Sequence, residues 1–168
     1  MPGPYELYLI RHAVAEDRGE AWPDDAKRPL SEEGAARMRK SVRGLARLDV
    51  SLDVILSSPL VRARQTAEIV AAGLLPRPSI VNIDALTPAG TFAALSAELE
   101  KHARKTAIAL IGHEPNIGEI AARLIGSRHP IEFKKGAVCR IDLEQLPPQG
   151  PGSLRWFLPP GALRKLQK

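Results

Sequence analysis

Two pairs of charged and titratable residues follow apolar runs in this sequence: Arg11-His12 near the start and His113-Glu114 later in the chain. An imidazole serves as a nucleophile or a hydrogen-bond donor, and a guanidinium offers forked donors that match the oxygens of a phosphoryl group. Phosphoryl transfer without a metal needs this combination, because cations neutralise the oxygens while an imidazole attacks in line. The residue types therefore predict phosphoryl chemistry if the fold brings both pairs together.

Arg62 supplies a further cation, in the first turn of a helix predicted to follow Ser57-Ser58-Pro59. The free N–H groups and the dipole of a helix N-terminus already favour a bound anion. Each residue alone also has a structural interpretation. A histidine that follows a strand often caps the strand or packs in the core as a polar residue, and a single arginine on a helix often faces solvent. The hypothesis of a phosphoryl site therefore depends on the convergence of these residues.

The apolar runs before the two histidines are typical of strands buried on both faces of a parallel sheet. Apolar residues at helical spacing alternate with such runs, which predicts a three-layer α/β/α sandwich with a mostly parallel central sheet and an antiparallel edge strand. The predicted strands are 5–12, 54–58, 79–83, 107–112, 137–143 and 154–158. The predicted helices run from Ser31 to about Leu48, from about Leu60 to Gly73, from Thr87-Pro88 through Leu99 and from Pro115 to Ile125. We expect one domain over 1–168, a length that suffices for a single α/β core.

The carboxyl ends of the first, second and fourth predicted strands meet at one edge of the sheet, where ligands of α/β proteins bind. We expect this edge to gather Arg11, His12, Ser57, Ser58, Arg62, His113 and Glu114. Residues 13–30, which follow His12, form a long charged segment without periodicity. Both a lid over the site and a solvated connection are consistent with this segment.

The composition limits the classes of partner and cofactor. The formal net charge is +5, but the basic residues are dispersed and only 4% of residues are aromatic, so we expect no nucleic-acid binding. No apolar stretch reaches about 20 residues, so no membrane span is predicted. The single cysteine, Cys139, indicates a buried structural thiol and a reducing, cytoplasmic setting. No Cys/His cluster has zinc-site spacing, and we predict no metal and no cofactor.

Three motifs of the chain resemble those of the histidine phosphatase superfamily, in the same order. Leu9-Ile10-Arg11-His12 resembles the Arg-His-Gly opening of that family, residues 57–67 resemble its second block, and Gly112 to Asn116 resemble its third. The stretches Arg28 to Ser31 and Leu86 to Gly90 are similar to those of SixA-type phosphohistidine phosphatases. The resemblance implies a phosphoglycerate mutase-like fold and a phosphatase that acts on phosphohistidine in a phosphorylated protein.

The resemblance also implies a role for each matching residue. His12 would be the nucleophile that becomes phosphorylated. Arg11, Arg62 and His113 would hold the phosphoryl group until water hydrolyses the phosphohistidine intermediate. Ala13 stands where the family usually has glycine, and we expect its methyl group to be tolerated if the backbone angle is ordinary.

The general acid is predicted less directly. Glu114 is the first candidate, because acid-phosphatase relatives carry an aspartate with this role after the second histidine, and Asp84 is the second candidate. An alkoxide leaving group needs a proton more than a phosphorylated imidazole does. A site with two candidate general acids and no firm assignment therefore suits a phosphohistidine substrate better than a phosphate monoester. The alternatives are a phosphatase or mutase for a small phosphorylated substrate and a phospho-binding module without catalysis. The sequence predicts no oligomeric state.

Overall fold

The computed structural model describes residues 4–168 of the chain and consists of alternating strands and helices. The strands are β1 (Tyr5–Arg11), β2 (Val54–Ser57), β3 (Ser79–Asn82), β4 (Ala107–Gly112), β5 (Val138–Leu143) and β6 (Ser153–Leu158). The α-helices are α1 (Glu32–Arg47), α2 (Val61–Gly73), α3 (Phe92–Glu100), α4 (Asn116–Ile125) and α5 (Pro160–Lys165). Short 3₁₀ turns occupy Asp25–Lys27 and Asp84–Leu86.

One six-stranded sheet has the strand order β3-β2-β4-β1-β5-β6. Strands β3, β2, β4 and β1 are mutually parallel, whereas β5 is antiparallel to β1 and β6 is antiparallel to β5. The predicted mostly parallel sheet is therefore confirmed, with two antiparallel strands on one side where the sequence analysis expected one. The carboxyl ends of β1, β2 and β4 lie side by side, because right-handed crossovers return each strand in the same direction.

Alternating residues of the central strand β1 enter two separate cores. Leu7 and Leu9 pack in one core with α3 and α4, and Tyr8 and Ile10 pack in the other with α1, α2 and α5. A strand covered by helices on both faces has no polar side, which explains the uninterrupted apolar run before Arg11. The same reasoning holds for β4, whose six residues are all buried.

Helix α1 begins where the sequence predicts. The Ser31 side chain accepts a hydrogen bond from the Gly34 N–H at 2.9 Å, and the acidic Glu32 and Glu33 lie in the first turn. The side-chain acceptor satisfies one free N–H group, and the acidic residues oppose the positive end of the helix dipole.

Helix α3 begins later than predicted. Thr87 does not cap it: its hydroxyl donates to the Asp84 carbonyl at 2.7 Å and closes the preceding 3₁₀ turn. The observed cap is Thr91, whose side chain accepts from the Ala94 N–H at 3.1 Å. Gly90 permits this turn, since a Cβ there would lie 1.9 Å from the Ala85 carbonyl oxygen.

The sequence does not predict helix α5, which follows the last predicted strand. Pro160 starts it, and its residue Leu163 is fully buried in the core that contains α1. No helix within residues 4–168 is long and apolar enough to cross a membrane.

Candidate active site

A cavity of about 550 Å³ opens at the carboxyl ends of β1 and β4. Of the seven residues expected at this edge, five line the cavity, namely Arg11, His12, Arg62, His113 and Glu114, whereas Ser57 and Ser58 are buried and do not line it. The remaining lining residues are Ala15, Glu16, Asp17, Arg18, Asp25, Arg28, Pro88 and Lys135. Segment 13–30 therefore forms a wall of this cavity. A larger groove of about 870 Å³ between α1 and α2 contains none of the predicted residues.

His12 lies at the end of β1 and is 5% exposed. Its Nδ1 lies 2.7 Å from the carbonyl oxygen of Ala13. Burial lowers the pKa of His12 to about 3, and the nearby His113, Arg62 and Arg11 add to this effect. The imidazole is therefore neutral at pH 7, and because a carbonyl oxygen only accepts, the proton is on Nδ1. The Nε2 atom carries the lone pair.

His113 follows β4 and faces the first histidine. The two ring centroids are 5.1 Å apart, with the ring planes inclined by 56°. His113 Nε2 lies 2.8 Å from Ser58 Oγ, whereas its buried Nδ1 has no hydrogen-bond partner. Burial, followed by the charge of Arg62, lowers the pKa of His113 to about 4. Ser58, at the end of β2, thus orients the second imidazole.

Two arginines contribute positive charge to the cavity. Arg11 donates through Nη1 to the Phe133 carbonyl at 2.8 Å, and its buried Nε has no partner. Arg62, in the first turn of α2, is 3% exposed, and its Nε is also buried without a partner. Buried donors are nearly always hydrogen-bonded in proteins. Together with Nδ1 of His113, these unpaired groups are suited to a bound ligand rich in oxygen atoms.

Asp25 and Arg28 also line the cavity, although neither was among the candidate residues predicted from the sequence. The Asp25 carboxylate accepts from Arg62 Nη2 at 3.0 Å and from Arg28 Nε at 2.9 Å. The hydrogen bond from Arg28 and the charge of Arg62 lower the pKa of Asp25. The sequence offers a partial signal for Arg28, in the motif Arg28 to Ser31, but none for Asp25 among the other acidic residues of its segment.

Glu114 lies in the cavity wall, at the start of α4. Its Oε1 accepts from the Gly118 N–H at 2.7 Å, which caps the first turn of the helix. Burial raises the pKa of Glu114, against the opposing effects of that N–H group and of Arg11. Asp84, by contrast, is exposed in a 3₁₀ turn and does not line the cavity. The structure thus brings the first candidate acid into the site and not the second.

Backbone contacts lock the end of β1 in place. The Gly136 N–H approaches the carbonyl oxygens of Arg11 and His12, both at 3.1 Å. The Thr66 hydroxyl accepts from the Ala13 N–H at 3.1 Å and donates to the Arg62 carbonyl at 2.8 Å. Ala13 has no positive φ, so a methyl group causes no backbone strain there.

Cys139 is buried within β5 and lies outside the cavity lining. Burial raises the pKa of its thiol to about 12, as expected for a structural cysteine. Within residues 4–168, no three His, Cys, Asp or Glu side chains cluster so as to hold a metal ion.

Comparisons with known sequences agree with this geometry. Residues 7–87 match the histidine phosphatase superfamily (branch 1). The chain is 38% identical over 138 residues to an uncharacterized protein of Picosynechococcus sp., covering 79% of this chain and 82% of that protein. It is 27% identical over 161 residues to the phosphohistidine phosphatase SixA of Escherichia coli K12, covering 95% and 96% of the two chains.

Solved structures with the same fold include a complex of the protein histidine phosphatase SixA with tungstate. That structure matches with a TM-score of 0.83 and 28% identity, covering 94% of this chain and 99% of the other. A phosphoglycerate mutase of Bacillus anthracis matches with a TM-score of 0.73 and 14% identity, covering 98% and 97%. The second likeness shows the fold alone and confirms a phosphoglycerate mutase-like architecture.

Proposed function

Since the chain belongs to the histidine phosphatase superfamily, we propose that it is a phosphatase that works through a phosphohistidine on His12. The carrying observation is the 2.7 Å contact between Nδ1 of this imidazole and the carbonyl oxygen of Ala13. Its Nδ1 proton is held by the Ala13 carbonyl, so the Nε2 lone pair is available at neutral pH. In the same cavity, Arg11 and Arg62 have buried Nε–H donors without a partner, and His113 has an Nδ1 without a partner.

The first step is an in-line attack by His12 Nε2 on phosphorus. The bond from Nε2 to phosphorus forms while the bond from phosphorus to the leaving atom breaks, and the leaving atom takes the bonding electrons and a proton. Positive charge develops on the imidazole, and the Ala13 carbonyl oxygen stabilises it through Nδ1–H. The guanidinium groups of Arg11 and Arg62 bind the oxygens and offset their negative charge, and the neutral ring of His113 donates a hydrogen bond to them.

The second step is hydrolysis of the phosphoenzyme. A water oxygen attacks phosphorus, the Nε2–phosphorus bond breaks, and inorganic phosphate leaves as His12 regains its lone pair. Glu114 is the proposed proton donor in the first step and acceptor in the second, since its raised pKa lies closer to neutrality than that of an ordinary carboxyl group. In this mechanism the guanidinium groups of Arg11 and Arg62 supply the positive charge, so we propose that no metal takes part.

The proposed substrate is phosphohistidine in a protein. The likeness to SixA supports it, since the SixA sequence matches the chain at 27% identity and the SixA structure at 28% identity, each over nearly the whole length of the chain. A phosphorylated imidazole is a better leaving group than an alkoxide. The reaction therefore makes modest demands on Glu114, whose Oε1 is already engaged by the Gly118 N–H.

Trapping of the phosphoenzyme tests the role of His12. We expect wild-type protein, mixed with a phosphohistidine-bearing protein and quenched in alkali, to carry phosphate on His12. His12→Ala should carry none and should lose about a thousandfold or more in turnover, because the covalent path is removed. His129→Ala is the matched control, since His129 is exposed in a loop outside the cavity. Phosphate trapped on another residue, or normal turnover by His12→Ala, would contradict the mechanism.

A second comparison tests the substrate class and the absence of a metal. We expect a higher kcat/KM for a phosphohistidine-bearing protein than for p-nitrophenyl phosphate or sugar phosphates, and no loss of activity after treatment with a chelator. A preference for a small phosphate ester would favour the alternative phosphatase. Phosphoprotein binding without release of phosphate would favour a binding module.

A further inference from the structure

Asp25 binds the guanidinium of Arg62 through two separate groups. Its carboxylate accepts from Arg62 Nη2 at 3.0 Å, and its backbone carbonyl accepts from Nη1 at 2.8 Å. Both terminal nitrogens of Arg62 are therefore fixed by one residue, which lies 37 positions earlier in the chain. The guanidinium makes no other side-chain hydrogen bond within residues 4–168, and its Nε has no partner.

Asp25 is itself held in place by a second buried arginine. Arg28 is 6% exposed, and it donates through Nε to Asp25 Oδ1 at 2.9 Å and through Nη1 to the Glu16 carbonyl at 2.7 Å. The segment is further tied to α2, because the Gln65 side chain accepts from the Leu30 N–H at 2.8 Å. The Asp25 contact therefore belongs to an anchored wall of the cavity.

We propose that Asp25 is a positioning residue, which holds Arg62 so that its remaining N–H groups face the transferring phosphoryl group. The hydrogen bond from Arg28 Nε holds the Asp25 carboxylate in the position that this role requires. This inference rests on the proposed function of the cavity. It assigns the charged segment 13–30 a direct part in building the site, through one carboxylate that joins two buried guanidinium groups.

If Asp25 instead blocked the phosphate position, its removal would change the affinity for phosphate in the opposite direction. A carboxylate that merely occupied the phosphate position would compete with phosphate, and its removal would tighten phosphate binding. A positioning carboxylate orients the arginine, and its removal would weaken binding because the guanidinium loses its fixed geometry. The affinity for inorganic phosphate, the reaction product, therefore separates the two roles without requiring turnover.

The experiment is a double-mutant cycle read by calorimetric binding of inorganic phosphate and by kcat/KM. We expect Asp25→Ala to weaken phosphate binding about tenfold in the wild-type background and to change it less than about twofold in an Arg62→Ala background. Asp25→Asn should restore part of the loss, since its amide oxygen can still accept from Nη2. Glu20→Ala is the charge-matched control, because Glu20 is exposed in the same segment and does not line the cavity.

Each outcome bears on one of the two claims. Unchanged or tighter phosphate binding by Asp25→Ala, or an equal loss in both backgrounds, would overturn the positioning role. If Asp25→Ala fails to fold, Asp25→Asn carries the same cycle: a few-fold loss that disappears with Arg62→Ala supports the role, and no coupling overturns it. If wild-type protein binds no phosphate, or binds it equally without Arg62, the proposed function itself fails.

Discussion

At the scale of single residues, the site depends on which atoms carry protons. The Ala13 carbonyl fixes the proton of His12 on Nδ1, and burial keeps the ring neutral, so that Nε2, the proposed nucleophile, has a free lone pair without help from a separate base. Glu114 shows the opposite shift, since burial raises its pKa. One site thus holds an imidazole that stays unprotonated at neutral pH and a carboxyl group that keeps its proton to a higher pH than usual. Acid–base chemistry requires such a pair of groups with pKa values shifted in opposite directions.

Glu114→Gln tests the proposed acid through its dependence on the leaving group. We expect about a hundredfold loss of kcat/KM for phenyl phosphate, whose leaving oxygen needs a proton. The loss for p-nitrophenyl phosphate should be several-fold at most, because nitrophenolate leaves unprotonated. Asp84→Asn should change neither rate, since Asp84 is exposed outside the cavity. Equal losses on both esters would mean that Glu114 acts only as the cap of α4.

At the scale of elements, the packing of α1 against the end of β1 affects both the stability of the fold and the position of His12. The first turn of α1 packs against the segment just after His12: the Ser31 N–H donates to the Val14 carbonyl at 3.1 Å, and Gly34 lies against the same oxygen. A Cβ on Gly34 would lie 2.0 Å from Val14 O, so only glycine permits this approach. The helix therefore supports the segment that directly follows His12, the proposed nucleophile.

Gly34→Ala and Gly44→Ala form a matched pair that tests this support. Both glycines lie in α1, and a Cβ on Gly44 would lie 2.1 Å from the carbonyl oxygen of Leu163 in α5, which does not line the cavity. We expect each substitution to lower the free energy of unfolding by about 1–3 kcal/mol, because a backbone contact is forced apart. Only Gly34→Ala should also lower kcat or raise KM, as urea denaturation and steady-state kinetics on the folded protein will show. Equal kinetic effects would contradict a special role for the β1–α1 junction.

At the scale of the whole molecule, the buried histidines link the site to the stability of the fold. Burial lowers the pKa of His12 to about 3 and of His113 to about 4, whereas both titrate near 6.5 in the unfolded chain. Below about pH 6.5 the unfolded state takes up protons that the folded state does not. Stability is therefore greatest above this pH and falls as the pH falls toward 4.

Urea unfolding at about pH 7 and about pH 5 measures this linkage. Each of the two imidazoles should account for about 2 kcal/mol of lost stability between these conditions. His12→Asn should therefore lose about 2 kcal/mol less than wild-type protein, since it lacks one titrating group. His129→Asn, altered at an exposed loop position, should keep the wild-type difference. Parallel pH dependences for His12→Asn and wild-type protein would show that His12 does not titrate as the buried geometry requires.

Much of the fold could be predicted because its signals are local. The apolar runs of β1 and β4, the Ser31 cap of α1 and the end of α4 at Ile125 depend on neighbouring residues, and the structure has them within about one residue. The predicted start of α3 was wrong, and α5 was not predicted at all. Thr87 is drawn into a 3₁₀ turn, and α5 is stabilised by the burial of Leu163 against α1. Both depend on contacts beyond the local pattern.

The sequence by itself determined that Arg11, His12 and His113 stand at the ends of buried strands, because hydrophobic periodicity identifies the strands and chain order identifies their ends. Only the tertiary structure decided how these groups act. Contacts near 3 Å place the proton of His12 on Nδ1 and orient the His113 ring beside Ser58. A contact of similar length joins the Asp25 carboxylate to the Arg62 guanidinium. Hydrogen bonds and charge interactions depend on such distances, and for residues far apart in the chain only the packed fold fixes them.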